Sequence, residues 1–252
     1  MTVSDLAARL ATARADRRAI PRLTDEFPGL DIATGYRVQR ESRAGAGPLA
    51  GWKLGLTSRA KQSQVGVTAP ICGFLPAAGA LDPGAPLDTA AHIQPRCEPE
   101  IVFVLGRDLR GPHVTTDDVL AACSGVAVGI EVLDSRFLDY DFDTADVVAD
   151  NTSASRFVVG TPVSPAGIDL RLVGVVWEHD GEVVATAAGA ASLGHPAAAV
   201  AWLVRTLAVE GEGLTAGQVV FSGGLTAATP VGPGDVVRAT IDRLGSVELR
   251  CL

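Results

Sequence analysis

The rhythm of apolar positions changes near residue 50. Upstream, Leu6, Leu10 and Ala13, then Ile32, Tyr36 and Gln39–Arg40, recur at helical spacing, with Pro21 and Pro28-Gly29 as punctuation. This predicts two helices within residues 1–48, closed by the loop Gly45-Ala-Gly-Pro48. Downstream the pattern becomes short apolar runs between glycine-rich turns. Strands are predicted at Gly51–Leu56, Ile101–Leu105, Val126–Leu133, Arg156–Val159, Val173–Glu178, Val183–Thr186, Gln218–Ser222, Val236–Ile241 and Ser246–Arg250. His179-Asp-Gly181 reads as a tight hairpin, because Asp-Gly tolerates the positive φ angles of a type I′ turn; Leu244-Gly245 closes a second one. Helices are expected at Arg59–Gln64 (capped by Ser58), Asp117–Cys123 (capped by Thr116) and Ala197–Val209, with Pro196 in its first turn and Gly211 beyond its end. Strands and helices do not alternate regularly, which disfavours a doubly wound parallel sheet. The expectation is an α+β fold: a mixed roll or sandwich with helices packed outside.

Composition narrows the function. The 252 residues carry a formal charge of -8 and no Lys/Arg cluster, so a nucleic-acid partner is not expected. No apolar run approaches the length that spans a bilayer, and charges such as Asp5, Arg9 and Arg14 interrupt any leader-like segment near the start. Cys72, Cys97, Cys123 and Cys251 are widely spaced, which suits free thiols in a reducing cytoplasm. Phosphate-loop, dinucleotide-fingerprint and nucleophile-elbow motifs are absent from the sequence.

The segment with most chemical content is Cys97-Glu98-Pro99-Glu100-Ile-Val-Phe-Val-Leu105. On an extended backbone Glu98 and Glu100 share one face at the mouth of an apolar strand. Glu131 interrupts a second apolar run, where a carboxylate is costly unless a cation meets it. Three oxygen donors of this kind suit Mg²⁺ or Mn²⁺. The same residues also fit a plainer arrangement, with two solvent-facing strand acids and Glu131 paired to an Arg. Lys53, between Trp52 and Leu54, is either a proton-transfer lysine whose pKa burial lowers or one reaching out of an edge strand. Lys61 is a second candidate lysine, or a residue of a helix surface. Asp150-Asn151-Thr152-Ser153-Ala154-Ser155-Arg156 is either a carboxylate-binding cluster or an Asx/Ser turn. His195 reads as a helix cap, and Ser222-Gly-Gly-Leu-Thr226 as a plain turn or as backbone that lets a ligand come close.

Taken together, GWKLGLTSRAK, CEPEIVFVLG, GIEVLDSRF, VVADNTSASRFVVG, SLGHPAAAVAWL and FSGGLTAATPVGPGD resemble the fumarylacetoacetase superfamily. The resemblance is to its branch of 2-keto-4-pentenoate hydratases and 2-oxo-3-hexenedioate (4-oxalocrotonate) decarboxylases. It implies a single fumarylacetoacetase-like catalytic domain over 1–252, with a helical segment at 1–48 and a β-roll core at 49–252. It implies a divalent metal on Glu98, Glu100 and Glu131, catalytic roles for Lys53 and Lys61, and a pocket drawing on Ile71, Gly73, Phe74, Ser153, Ser155 and Thr226. Hydratases of the branch carry an acid in a P-D-F-G-like segment. Here Pro70-Ile71-Cys72-Gly73-Phe74 has Ile71 in that place, which favours decarboxylation of a small 2-oxo acid over hydration. An apolar wall of Ile71 and Phe74 is expected to promote departure of neutral CO₂. The resemblance also implies a homo-oligomer and association with a hydratase of the same branch, and it leaves open a non-catalytic partner subunit. Acylpyruvate hydrolysis is disfavoured, because His92, His113, His179 and His195 occupy none of the places its water-activating pair requires.

Overall fold

The computed structural model describes residues 2–58, Gln62 and 67–252. Helix α1 (Val3–Ala15) starts at a capping box on Thr2, and α3 (Ile32–Ala44) at Asp31; between them lies α2 (Leu23–Glu26), a single turn absent from the predicted pair. Leu6, Leu10, Leu23, Leu30 and Val38 bury against Phe137, Ala145 and Ala149, so this segment has a small core of its own. Gln39 ties it to the sheet by donating to the carbonyls of Cys72 and Val148.

The strands are β1 (Leu49–Gly55), β2 (Ile71–Pro76), β3 (Ala80–Leu81), β4 (Arg96–Leu105), β5 (Leu109–Arg110), β6 (Cys123–Leu133), β7 (Ala154–Val159), β8 (Gly174–His179), β9 (Glu182–Ala188), β10 (Gly213–Leu214), β11 (Val219–Phe221), β12 (Thr229–Pro230), β13 (Val236–Ile241) and β14 (Gly245–Arg250). The main sheet runs β2-β1-β11-β4-β6-β7-β3, with β12 also on β4, and is mixed: β1·β11 and β3·β7 are parallel. A second sheet, β14-β13-β8-β9, packs its β13 and β14 on β6. Asp180 and Gly181 hold positive φ at the β8–β9 turn, as the Asp-Gly signal requires.

The described residues also form helices α4 (Thr116–Ala122), α5 (Thr144–Ala149) and α6 (Pro196–Ala208). The α4 cap is Thr115, one residue before the predicted one, because its hydroxyl and the Asp118 carboxylate close a reciprocal box. Helix α6 is capped by His195, whose Nδ1 accepts from Ala197 N–H. It lays Ala197, Val200, Leu203, Val204 and Leu207 into the core with Trp52, Phe103 and Trp177. The helix expected at Arg59–Gln64 lies outside the described residues, apart from Gln62 and its cap Ser58. Gln62 N–H does bond Ser58 O.

Strand β4 starts at Arg96, five residues before the predicted Ile101, so Glu98 and Glu100 lie inside the strand and not at its mouth. Pro99 had masked this continuity. Its carbonyl faces the Leu225 N–H, where the neighbouring ladder is broken between β11 and β12, so its missing N–H removes no strand pairing. Strand β2 was not predicted, since Cys72-Gly-Phe carries no alternation.

Candidate active site

Glu98 and Glu131 are register partners across β4 and β6, while Glu100 stands opposite Gly129. The alternation of β4 puts Glu100 on the same face as Glu98. The three acids are buried, Glu100 and Glu131 with no exposure at all, and carboxylate oxygens from all three lie within 4.8 Å of one another. The chain of Ser222–Thr226, which leaves the ladder beside Pro99, closes over them. Gly223 N–H donates to Glu100 Oε2 at 2.6 Å, and a Cβ on Gly224 would stand 2.1 Å from Glu98 Oε2. These glycines let backbone approach the acids where no side chain fits. Glu100 Oε1 and Glu131 Oε1 are buried without a hydrogen-bond partner among the described residues. Orphaned oxygens in an all-carboxylate cluster fit a hard divalent cation.

Lys53 enters from β1. Its Nζ forms an ion pair with Glu131 Oε2 at 3.0 Å and donates to Thr152 O at 3.2 Å. It does not reach solvent, and Glu131 pairs with it rather than with an Arg. Burial pushes the Glu131 carboxyl up to about 7 against the pull of Lys53. Burial and the Glu131 charge raise Glu100 well above the usual carboxylate range. Lys53 corrects an expectation. Burial does oppose its charge, but Glu131, Glu100 and Glu98 outweigh that effect and its pKa rises. Without a cation beside it, Lys53 is therefore an ammonium.

The carbonyl that receives Lys53 belongs to an unusual turn. Asn151, Thr152 and Ser153 all adopt positive φ, a conformation that costs non-glycine residues about 1–3 kcal/mol each. Asn151 holds the turn against β2 by accepting from Phe74 N–H and donating to Phe74 O, and Thr152 Oγ1 donates to Cys72 O. A buried ion pair between Arg136 and Asp150 anchors its start. The polar cluster at 150–156 is thus mainly a built turn, and it presents the Thr152 carbonyl to Lys53. Ser153 Oγ is buried with no partner among the described residues.

A cavity of about 430 Å³ lies over the acids, lined by Lys53, Glu98, Ile71, Thr152, Ser153, Leu133, Phe142 and Val147, with Arg96 and Tyr140. Of the predicted pocket residues, Ile71 and Ser153 line it. Phe74 does not: it faces a separate cavity of about 560 Å³ beneath α1, beside Arg136 and Asn151. Gly73 leaves room for the turn, since a Cβ there would stand 2.6 Å from Asn151 O. Ser155 lies along β7 outside the lining, and Thr226 is buried next to the lining residues Ala227 and Ala228. Lys61 lies outside the described residues. The apolar wall is therefore Ile71 with Leu133, Phe142 and Val147, not Ile71 with Phe74. Leu133 was legible, two positions beyond Glu131 on the same strand face; Phe142 and Val147 had no periodic signal. His179, Asp180 and Asp235 form a second cluster, but Asp180 accepts from Val236 N–H, tying the β8–β9 turn to β13, and Asp235 accepts from Gly232 N–H in the turn before β13.

Comparison with known proteins places this geometry. The chain is 44% identical over 250 residues to the 4-oxalocrotonate decarboxylase of Pseudomonas sp. (strain CF600), covering 97% of this chain and 95% of that one. It is 40% identical over 251 residues to the 2-keto-4-pentenoate hydratase of Burkholderia vietnamiensis (strain G4 / LMG 22486), covering 98% and 96%. Its fold matches that of 4-oxalocrotonate decarboxylase from Pseudomonas putida G7, solved with magnesium and adipate, at a TM-score of 0.95 and 42% identity over 99% of this chain and 97% of that one. Fumarylpyruvate hydrolase from Pseudomonas aeruginosa shares the fold at a TM-score of 0.62 and 18% identity, over 80% of this chain and 88% of that one. The family model for the fumarylacetoacetate (FAA) hydrolase C-terminal region matches residues 46–251. The chain belongs to the FAA hydrolase family.

Proposed function

We propose that this protein is a metal-dependent decarboxylase of a 2-oxo-3-enedioate of the 4-oxalocrotonate type, releasing CO₂ and a 2-hydroxy-2,4-dienoate. The observation that carries the reading is the trio of buried glutamates around orphaned oxygens, with the Lys53 ammonium beside Glu131. The named relatives support it, decarboxylases and hydratases alike. Glu98, Glu100 and Glu131 would hold Mg²⁺ or Mn²⁺. A divalent ion bound there supplies a Lewis acid toward the 2-oxo acid end of the substrate.

As the bond to the distal carboxylate breaks, its electron pair moves through the alkene toward the 2-oxo oxygen. Lys53 is the proton source for that oxygen, and its transfer completes the dienol. The Thr152 carbonyl and Glu131 hold the ammonium in place. Ile71, Leu133, Phe142 and Val147 give the cavity a dry wall that suits a neutral leaving group. Lys61 is proposed as a second lysine of the site, and Ser153 and Thr226 as polar groups toward the substrate; Ser155, outside the lining, is not.

The test is to incubate the purified chain with 2-oxo-3-hexenedioate and with 2-hydroxypenta-2,4-dienoate, with and without Mg²⁺, and to identify products. Mg²⁺-dependent CO₂ release supports the proposal. A 4-hydroxy-2-oxo acid formed from the dienol without decarboxylation identifies a hydratase instead. Against hydration, Ile71 occupies the pocket position where the resemblance calls for an acid. Turnover by the isolated chain also excludes a purely structural partner subunit. We further propose a cytoplasmic homo-oligomer able to associate with a hydratase of its branch, to be checked by sedimentation alone and with that hydratase. Among the described residues no helix is long and apolar enough to cross a membrane.

A further inference from the structure

Arg96 has no role in the chemistry above, yet it lines the same cavity as Lys53 and Glu98. It lies two residues before Glu98 on β4, on the same face. The pairing of β4 with β6 sets Arg96 opposite Leu133, as it sets Glu98 opposite Glu131. The cavity floor thus carries an acidic rung and, about 7 Å along the strands, a rung of Arg96 and Leu133.

The guanidinium is stacked on Tyr140, its Cζ 3.9 Å from the ring centroid. The Tyr140 hydroxyl donates to Gln94 O, which fixes the ring beneath it. Stacking holds the plane of the guanidinium and leaves its edge, with the N–H fork, available. Arg96 makes no ion pair among the described residues. Nearby Asp134 is engaged by the N–H groups of Ile93 and Gln94. A half-buried, pre-oriented cation on the cavity wall, with no acid paired to it among the described residues, is suited to a ligand carboxylate.

We infer that Arg96, held on Tyr140 one rung along the sheet from Glu98 and Glu131, receives the distal carboxylate of the substrate and makes this site selective for dicarboxylic over monocarboxylic 2-oxo acids. The inference rests on the proposed site for a 2-oxo acid. An extended six-carbon chain spans on the order of 6 Å between its end carbons, which matches one rung of the sheet. The distal charge leaves with the breaking bond and passes to the 2-oxo oxygen. Arg96 therefore grips the ground state more than the transition state, and its effect falls on KM more than on kcat.

The experiment is calorimetric titration of the Mg²⁺-loaded protein with 2-oxoadipate and with 2-oxohexanoate, acids of equal chain length that differ by one carboxylate. Wild type is expected to bind the diacid about 10- to 100-fold more tightly, the range of a charged hydrogen-bonded pair. In R96Q that ratio falls to near one. R96K retains part of it, because an ammonium keeps the charge but loses the fork. Y140L lowers the ratio with Arg96 still present. A wild type that does not discriminate, or an R96Q protein that keeps the wild-type ratio, overturns the inference. A wild type that prefers the diacid but releases no CO₂ from 2-oxo-3-hexenedioate overturns the decarboxylase reading and leaves the role of Arg96 standing.

Discussion

Replacing Lys53 with Met keeps the length and apolar stem of the side chain and deletes the ammonium 3.0 Å from Glu131 Oε2. At an effective dielectric constant of about 20, that separation corresponds to about 5 kcal/mol of attraction before desolvation is subtracted. Breaking a buried pair on one side has a net cost of about 3–5 kcal/mol, since the partner charge stays behind. For a chain of this size that lowers Tm by on the order of 10 °C in metal-free protein. The loss depends on pH. Glu131 already has a folded pKa of about 7, above its ordinary value of 4.5, and Lys53 acts to pull it down. Its removal raises that pKa further. A raised acid stabilises the fold fully only below its unfolded pKa, and the contribution is lost as pH rises through the folded value. Up to about pH 7 the carboxyl is protonated in both folded proteins and the gap between K53M and wild type stays level; it widens from about pH 7 upward, where wild-type Glu131 has ionised and that of K53M has not. Mg²⁺ supplies the missing positive charge, so saturating Mg²⁺ raises the Tm of K53M by more than that of wild type. Turnover stays lower by about 10²- to 10⁴-fold, the usual scale for a lost proton donor. Thermal melts at pH 5 and 8, with and without Mg²⁺, and CO₂ release under saturating Mg²⁺ read all of this. Turnover near wild type would remove Lys53 from the chemistry. Equal Mg²⁺ shifts in the two proteins would show that Lys53 does not balance the acids.

Glu131→Gln and Glu98→Gln are expected to fold and to weaken Mg²⁺ binding by roughly 100-fold or more, as direct ligands do; calorimetry showing wild-type affinity in both would refute the ligand set. Gly224→Ala inserts a Cβ 2.1 Å from Glu98 Oε2 on the present backbone. It should cut Mg²⁺ affinity with little loss of secondary structure, and unchanged affinity would mean that Glu98 is free to move aside. His195 caps α6 through an unprotonated Nδ1, and burial holds its pKa below the usual 6.5. A depressed base contributes stability above its unfolded pKa and loses it as pH falls through the folded value. His195→Ala should therefore cost about 1 kcal/mol at pH 8 and much less at pH 5. A pH-independent difference in denaturant melts would show that the cap is not what His195 contributes.

Local information decided much of this protein. The hairpin at Asp180-Gly181, the Pro196 helix start and most strand centres depend on φ preferences and periodicity within a few residues, so the chain itself specified them. Glu98 and Glu100 share a face because alternation along an extended chain requires it, and Arg96 was legible by the same rule. A charge inside an apolar run also marked Lys53 and Glu131, and three oxygen donors suggested a divalent metal; the family motifs chose among the alternatives that those local rules left open. Tertiary structure settled what depends on partners distant in sequence. Pro99 could be tolerated inside β4 only because Ser222–Thr226 leaves the neighbouring ladder there, so the strand was longer than its apolar run. Phe74 faces away from Ile71 because the two are three apart on β2, a strand that became evident only once Ile71–Pro76 was paired with β1. The pKa of Lys53 rises rather than falls because three carboxylates from two other strands surround it, and an electrostatic balance of that kind exists only once the strands are side by side.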